Sequence, residues 1–316
     1  MTDLQDIADV LYDNDEFEII YHINPDGDAI GSAYALALAL RLTGKKAMPV
    51  CTSAIPDNYL FLTDRVEKQA LRHPHCICVD TSTKERLGEY SDKRILCCID
   101  HHESNTVDAS YKYTDPTASS CAQIVYELIQ LLGAPVSALM ADFLYTGLIT
   151  DTSCFRSTSV NSDTMRYASV FAACGADVSG LARRFFLIKS PKRLEIEDRL
   201  KSSRKYFADG KIAGFVLRNA DYTELDITDS DVEGLNDIAE EPQGIKAGIV
   251  VREKRKGICR ISVRCAKGYR ADLICAKAGG GGHANAAGAT MEGDPDEVLE
   301  KMASLAGEYF TSRETL

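Results

Sequence analysis

Across residues 17–187, short apolar runs alternate with longer helical stretches, and three of the runs lead into an aspartate. Phe17-Glu-Ile-Ile-Tyr-His-Ile23 precedes Asp26, Cys76–Val79 ends at Asp80, and Ile95–Ile99 ends at Asp100. Helical patterns cover Ala29–Thr43, Ser119–Leu132, Ser137–Ile149 and Asn161–Cys174. Apolar runs of this length, separated by helices, predict an α/β fold with a mostly parallel sheet covered on both faces. Such sheets bind ligands beyond the carboxyl ends of their strands. Asp26, Asp80 and Asp100 are therefore expected to converge there.

The chain has 316 residues, 45% hydrophobic and 26% charged, a globular composition long enough for two domains. Its net charge of −11 argues against duplex DNA binding over the whole surface, which needs a broadly positive face. The eleven cysteines are odd in number, and Cys76, Cys78, Cys97 and Cys98 lie inside apolar runs, where a free thiol behaves as a small hydrophobe. Met1 to Glu16 is polar and acidic, and the longest apolar run, Ala33–Leu40, is too short to span a bilayer. These features lead us to expect a cytoplasmic protein with reduced thiols. The element His73-Pro-His75-Cys76-Ile-Cys78 lacks the second half of a zinc site and reads as a strand entry.

A charged, helix-prone stretch, Ser190–Phe207, marks a boundary and reads as a connecting helix. The expected organisation is a first domain over 1–187, a linker helix over 188–205 and a smaller α/β domain over 206–316. Lys211–Leu217, Ile245–Val251 and Ile258–Val263 read as strands of that second domain. Between the first two, Asp221–Glu241 holds nine acids and no base and reads as a solvated loop or helix face. Residues 245–278 hold ten Lys/Arg against two acids, which predicts a basic face turned toward the first domain. No internal repeat or low-complexity tract is present.

Four elements carry candidate chemistry. His22-Ile-Asn-Pro-Asp26-Gly-Asp28-Ala-Ile-Gly31-Ser32 places three candidate ligands within seven residues, around a turn enforced by Pro25 and Gly27. Gly31 suits close helix packing. Read alone, Asp26 and Asp28 serve equally well as helix caps and His22 as a buried strand residue. Val79-Asp80-Thr81-Ser82 ends a strand in a carboxylate, and Asp100-His101-His102-Glu103 follows another. Thr150-Asp151-Thr152-Ser153 closes an apolar helix, where an acid opposes the helix dipole unless a cation is near. Carboxylates with imidazoles and no thiolate suit octahedral Mn²⁺ or Mg²⁺ better than structural zinc. Two such ions about 3.5–4 Å apart, with one carboxylate bridging them, point to a hydrolytic phosphoesterase.

The series HINPDGDAIGS, VDTS, IDHHES and ITDTSCFR resembles the motifs of the DHH phosphoesterase superfamily. The stretch from Gly279 to Ala289, GGGGHANAAGA, and the strand Ile261-Ser-Val-Arg264 before it resemble the DHH-associated C-terminal domain. The match spans nearly the whole chain. It implies two Mn²⁺, with Mg²⁺ or Co²⁺ as alternatives. His22, Asp26 and Asp80 would hold one ion, and Asp28, Asp80, His101 and Asp151 the other. His102 would contact the scissile phosphate as general acid, with Asp100 orienting the imidazoles.

Arg264, Gly280, Gly281, Gly282, His283 and Arg156 are the expected substrate contacts, with glycine amides approaching an anion unobstructed by Cβ. The family often has Gly where this chain has Ser153, a small-for-small exchange expected to leave Asp151 undisturbed. The compact two-domain form is similar to nanoRNases, which degrade short oligonucleotides and dephosphorylate 3′-phosphoadenosine 5′-phosphate (pAp), in this reading between the two domains. Cyclic di-AMP or pApA cleavage, exopolyphosphatase activity and a non-catalytic nucleotide sensor remain as alternatives. No membrane association is expected, and homodimerisation is left open.

Overall fold

A computed structural model describes residues 2–232 and 234–314. The chain forms two compact units, one up to Ile188 and one from Lys189 onward. The first runs α1 (Leu4–Tyr12), β1 (Glu16–Ile20), α2 (Gly27–Leu42), β2 (Lys46–Val50), α3 (Asp57–Thr63), β3 (His75–Val79), β4 (Ile95–Asp100) and β5 (Ala109–Thr114). Four helices follow: α4 (Cys121–Leu131), α5 (Ala138–Asp151), α6 (Ser162–Ala173) and α7 (Val178–Phe186).

All five strands are parallel, in the order β2-β1-β3-β4-β5. The α/β sheet flanked by helices is the one expected from the alternating pattern. Its two edge strands, β2 and β5, are missing from the sequence reading for a physical reason. Pro49 and Lys46 in β2, and Lys112 in β5, break the apolar run, which an edge strand tolerates because one side makes no ladder. In this strand order the direction of winding reverses between β1 and β3, which opens a crevice at their carboxyl ends.

The long helices α2 and α5 are buried almost all round, as a helix in the middle of a core must be. They pack backbone to backbone. A Cβ on Gly31 would lie 2.4 Å from the Phe143 carbonyl oxygen, and one on Gly147 would lie 2.6 Å from an Asp28 carboxylate oxygen. Gly27 is equally tight against Thr150, at 2.3 Å. These glycines bring the start of α2 against the end of α5, and so bring Asp28 toward Asp151.

The second unit runs α8 (Pro191–Ser202), β6 (Lys205–Phe207), β7 (Ile212–Leu217), α9 (Asn219–Glu224), β8 (Ala247–Arg255), β9 (Ile258–Cys265), α10 (Ala271–Ala276), β10 (Gly281–Gly282), β11 (Ala286–Glu292) and α11 (Pro295–Glu314). Its sheet has the order β10-β11-β9-β8-β7-β6, antiparallel except between β7 and β8. One face packs on α10 and α11. The opposite face of β7 and β8 packs on Ile196 and Leu200 of α8 and on the segment from Tyr222 to Ala239.

Two expectations are corrected here. The helical pattern from Ser190 does not continue to Phe207, because α8 ends at Ser202 and the chain re-enters as β6, paired with β7. The acidic stretch Asp221–Glu241 is not a solvated loop. Tyr222, Ile227, Val232, Leu235, Ile238 and Ala239 recur through it and cover the sheet, and the acids occupy the positions between them. A count of charges hides that periodicity.

All eleven cysteines are free thiols, and those of β3 and β4 are buried. No helix among the described residues is long and apolar enough to cross a membrane. Gly31→Ala should lower unfolding stability by about 1–3 kcal/mol, through overpacking against a backbone that cannot yield. Gly307→Ala, in α11 with nothing within 4 Å of the added methyl, should instead gain about 0.5–1 kcal/mol. Urea midpoints at constant slope measure both.

Candidate metal centre

The crevice above β1, β3 and β4 collects the candidate ligands. His22 and Asp26 follow β1, Asp28 opens α2, Asp80 follows β3, His101 and His102 follow β4, and Asp151 ends α5. Three groups of ligand atoms result, each within 4.8 Å: His22/Asp26/Asp80, Asp28/His101/Asp151, and Asp80/Asp100/His101/His102. All six residues expected at the metal positions are thus gathered in one place.

Asp80 belongs to two of these groups through different oxygens. Its Oδ2 lies 3.7 Å from His22 Nε2, while its Oδ1 lies 3.5 Å from His101 Nε2. His101 Nε2 is also 3.5 Å from Asp151 Oδ2 and 3.9 Å from Asp28 Oδ2. His22 Nε2 is 3.5 Å from Asp26 Oδ2. Separations of this size exceed good hydrogen bonds but suit donor atoms ranged around a common cation. Asp80 is 2% exposed and its Oδ1 has no hydrogen-bond partner, which is costly for a carboxylate unless a cation compensates.

The imidazoles are held in the form that ligation needs. Nδ1 of His22 lies 2.9 Å from the Ile23 carbonyl, and Nδ1 of His101 lies 3.2 Å from the Ala118 carbonyl. A carbonyl only accepts, so each Nδ1 donates and each Nε2 is the atom offered to the cluster.

Electrostatics point the same way. Burial pushes the Asp28 carboxyl well above its ordinary range, and the charges of Asp80 and Asp151 push it further. Burial, with Asp80 and Asp26 nearby, raises Asp151 to about 7 against the lowering pull of His101. Burial alone would depress His101, but the neighbouring Asp80, Asp151 and Asp28 carboxylates hold it up at about 11. The cluster concentrates negative charge and favours positive partners, and its hard oxygen and imidazole donors suit divalent cations.

Asp100 is engaged by the loop that follows it. Oδ1 accepts from the His101 amide at 2.8 Å and lies 2.7 Å from His102 Nδ1, and Oδ2 accepts from Asn105 Nδ2 at 2.5 Å. Burial would raise its pKa, but the His102 and Asn105 hydrogen bonds hold it below the ordinary value. Asp28 is fixed by a different device. The amides of Cys121 and Ala122, at the start of α4, donate to it at 2.6 and 3.0 Å, while Ser120 makes no side-chain cap of its own. A carboxylate from α2 thus caps α4 from outside.

Asn105, the Cys121 and Ala122 amides and Gly147 escaped the sequence reading. Asn105 also donates to the Thr81 carbonyl at 3.1 Å, so it ties the loop after β4 to the loop after β3. An asparagine five residues beyond Asp100 was the one local signal available. The amides and Gly147 left no signal, because they act across long sequence separations.

The fourth motif carries an unusual backbone conformation. Ser153, Cys154 and Phe155 have φ of 47°, 57° and 62°, three consecutive non-glycine residues in the left-handed region. What matters at Ser153 is therefore backbone conformation, not side-chain size. Glycine adopts it freely, whereas other residues lose about 1–2 kcal/mol each. Arg156 is exposed, donates to the Ser153 carbonyl at 2.7 Å and lies over the Phe186 ring.

In the second unit, Gly279 to Gly282 follow α10, and His283 starts a tight reversal, its amide donating to the Ala286 carbonyl at 2.8 Å. Gly280 and Gly282 are required by backbone contact, since a Cβ would lie 2.1 Å from the Gly288 carbonyl oxygen and 2.7 Å from Ala287 Cα respectively. Gly281 has open space and needs no glycine for packing. Arg264 is half-buried on β9, directly opposite Ala286 on β11.

Comparison with known proteins fits both units. Residues 16–148 match the DHH family, N-terminal domain, and residues 211–312 match the DHHA1 domain. The chain is 30% identical over 301 residues to the bifunctional oligoribonuclease and PAP phosphatase NrnA of Thermus thermophilus, covering 93% of this chain and 90% of that one. The chain is a DHH-family hydrolase.

A second relative of this hydrolase, Bacillus subtilis NrnA, is 25% identical and covers 91% of this chain and 94% of its own. A solved exopolyphosphatase-related protein from Bacteroides fragilis superposes with a TM-score of 0.82 at 24% identity, covering 98% and 96% of the two chains, and shares the hydrolase's fold.

Asn105→Ala should leave the hydrolase folded and lower kcat by about 10–100-fold, the usual effect of losing a group that orients catalytic side chains. Steady-state kinetics measure it. Ser153→Gly should raise unfolding stability by about 1 kcal/mol in urea titrations.

Proposed function

We propose that this DHH hydrolase is a two-metal, Mn²⁺-dependent phosphoesterase. In this reading it cleaves short oligonucleotides to mononucleotides and removes the 3′-phosphate of pAp. The observation that carries the reading is Asp80, whose two oxygens serve two separate ligand groups. His22, Asp26 and Asp80 would hold one ion, and Asp28, Asp80, His101 and Asp151 the other. Bound ions of this kind supply a nucleophilic hydroxide near neutral pH and neutralise charge on the phosphoryl oxygens. The names of the two NrnA relatives support the substrate class.

The chain's own residues would divide the remaining work. The doubly protonated His102 donates the Nε2 proton to the leaving oxygen, while its Nδ1–H stays on Asp100. Asp100 fixes the orientation of the ring and stabilises its charged form. In the second unit, Arg264 offers a planar fork to a substrate phosphate. His283 and the amides of Gly280, Gly281 and Gly282 provide further donors, with the open space at Gly281 leaving room for a ligand. Arg156 is a further candidate phosphate contact. A soluble, cytoplasmic enzyme fits such substrates.

Purified protein should turn over pAp and RNA di- to pentanucleotides with Mn²⁺ and lose that activity in EDTA. Turnover of pyrophosphate alone would overturn the nucleotide reading. Asp80→Asn should cut kcat at least 10³-fold and reduce bound Mn²⁺ from two equivalents to one or fewer by calorimetric titration. Retention of two tightly bound ions would remove Asp80 from the bridging position.

A further inference from the structure

The sheet of the second unit is covered unevenly on its second face, and the exposed positions lie toward β11 and the outer end of β9. Along β9, Cys259, Ile261, Val263 and Cys265 face the α10/α11 core, so Arg260, Ser262 and Arg264 lie on the other face. The apolar layer on this second face packs on Ala213, Phe215 and Leu217 of β7 and on Val250 of β8, and its segment Leu235–Glu240 also approaches β9, while no residue of β11 belongs to it. Beyond it, strand register arranges the face in rows. Arg252 of β8, Arg260 of β9 and Thr290 of β11 form one row. Ser262, Gly288 and Gly281 form the next, and Arg264 lies in the row after that.

The Arg252–Arg260 row is unfavourable as it stands. Like charges directly opposite on neighbouring strands repel, and neither guanidinium has an acidic partner among the described residues. The nearby Asp229 is engaged by Lys254 at 2.7 Å. Arg252 Nε is buried without a hydrogen bond, and burial, reinforced by Arg260 and Arg264, depresses the Arg252 pKa. A charged, half-buried group left in this condition is costly unless something anionic completes it.

Arg260 and Arg264 are four residues apart on one strand, about 13 Å at the usual rise. Glycine and serine pave the floor between them. Gly281 has no atom within 4 Å of where a Cβ would lie, and Gly281 and Gly288 present backbone in place of side chains.

We propose that Arg252 and Arg260 form a second anion subsite, two rows along the sheet from Arg264, which takes a backbone phosphate of a longer single-stranded oligonucleotide. Arg264 engages one phosphate, the small-residue floor carries the intervening backbone, and the arginine pair engages a later phosphate that a dinucleotide or a nucleoside bisphosphate lacks. The subsite therefore sets a length preference. It rests on the oligonucleotide reading given above.

The test is steady-state kinetics of the full chain with Mn²⁺ on single-stranded RNA of two to six nucleotides, for wild type, Arg260→Ala and Arg252→Met. Wild-type KM should fall as length passes three to four nucleotides. Both variants should raise KM for tetra- to hexanucleotides by about tenfold, the effect of one lost charge-assisted contact, while dinucleotide KM moves less than twofold. The slope of log KM against log salt should drop by about 0.7 for the longer substrates. Arg260 is exposed, and removing one of two opposed charges should leave melting temperature equal or higher, which separates lost binding from lost folding. KM changes equal at every length, or none at any length, would overturn the subsite and leave the phosphoesterase reading intact. Absence of wild-type turnover on every oligonucleotide would overturn both.

Discussion

Placing several carboxylates side by side in a crevice at the end of a parallel sheet is the condition on which the rest of the first unit depends. Asp28 and Asp80 are almost wholly buried and Asp26 and Asp151 stand beside them. Such a group of like charges is tolerable only with cations, and the surrounding structure is arranged to hold each oxygen ready for them. Asp80 is left with an oxygen that no protein donor satisfies. Asp28 is stabilised by the free amides of α4, and His22 and His101 have their Nδ1 atoms tied to backbone carbonyls. Each support leaves the ligating atom available.

The same condition explains features that look like unrelated matters of packing. Gly27, Gly31 and Gly147 let α2 and α5 approach until Asp28 and Asp151 share one imidazole. Left-handed backbone occurs at Asp80 and again at Ser153 to Phe155, where strain is sustained beside the chemistry and compensated by the core below. Asn105 links the loops after β3 and β4, so Asp80 and the Asp100–His102 pair are positioned together.

The second unit solves the opposite electrostatic problem. It concentrates guanidinium groups on one face of the sheet, and Gly281 there leaves the backbone accessible. The acidic stretch that dominates its composition packs against the sheet with its apolar positions. Net charge over the chain therefore describes neither surface.

The family, the parallel sheet and the acids and histidines that cluster were legible in the sequence, because each depends on local order. An apolar strand ending in Asp80 or Asp100 announces a carboxylate at a sheet edge, and His101-His102 follows immediately. The interrupted edge strands, the end of α8 and the buried face of Asp221–Glu241 were obscured by composition. Only the tertiary structure decided which oxygen of Asp80 serves which histidine, that the α4 amides hold Asp28, and that Ser153 matters through φ. It also decided that Arg252 lies opposite Arg260. These facts depend on register and on contacts between residues far apart in the chain, and no local pattern of residue types encodes a distance of that kind.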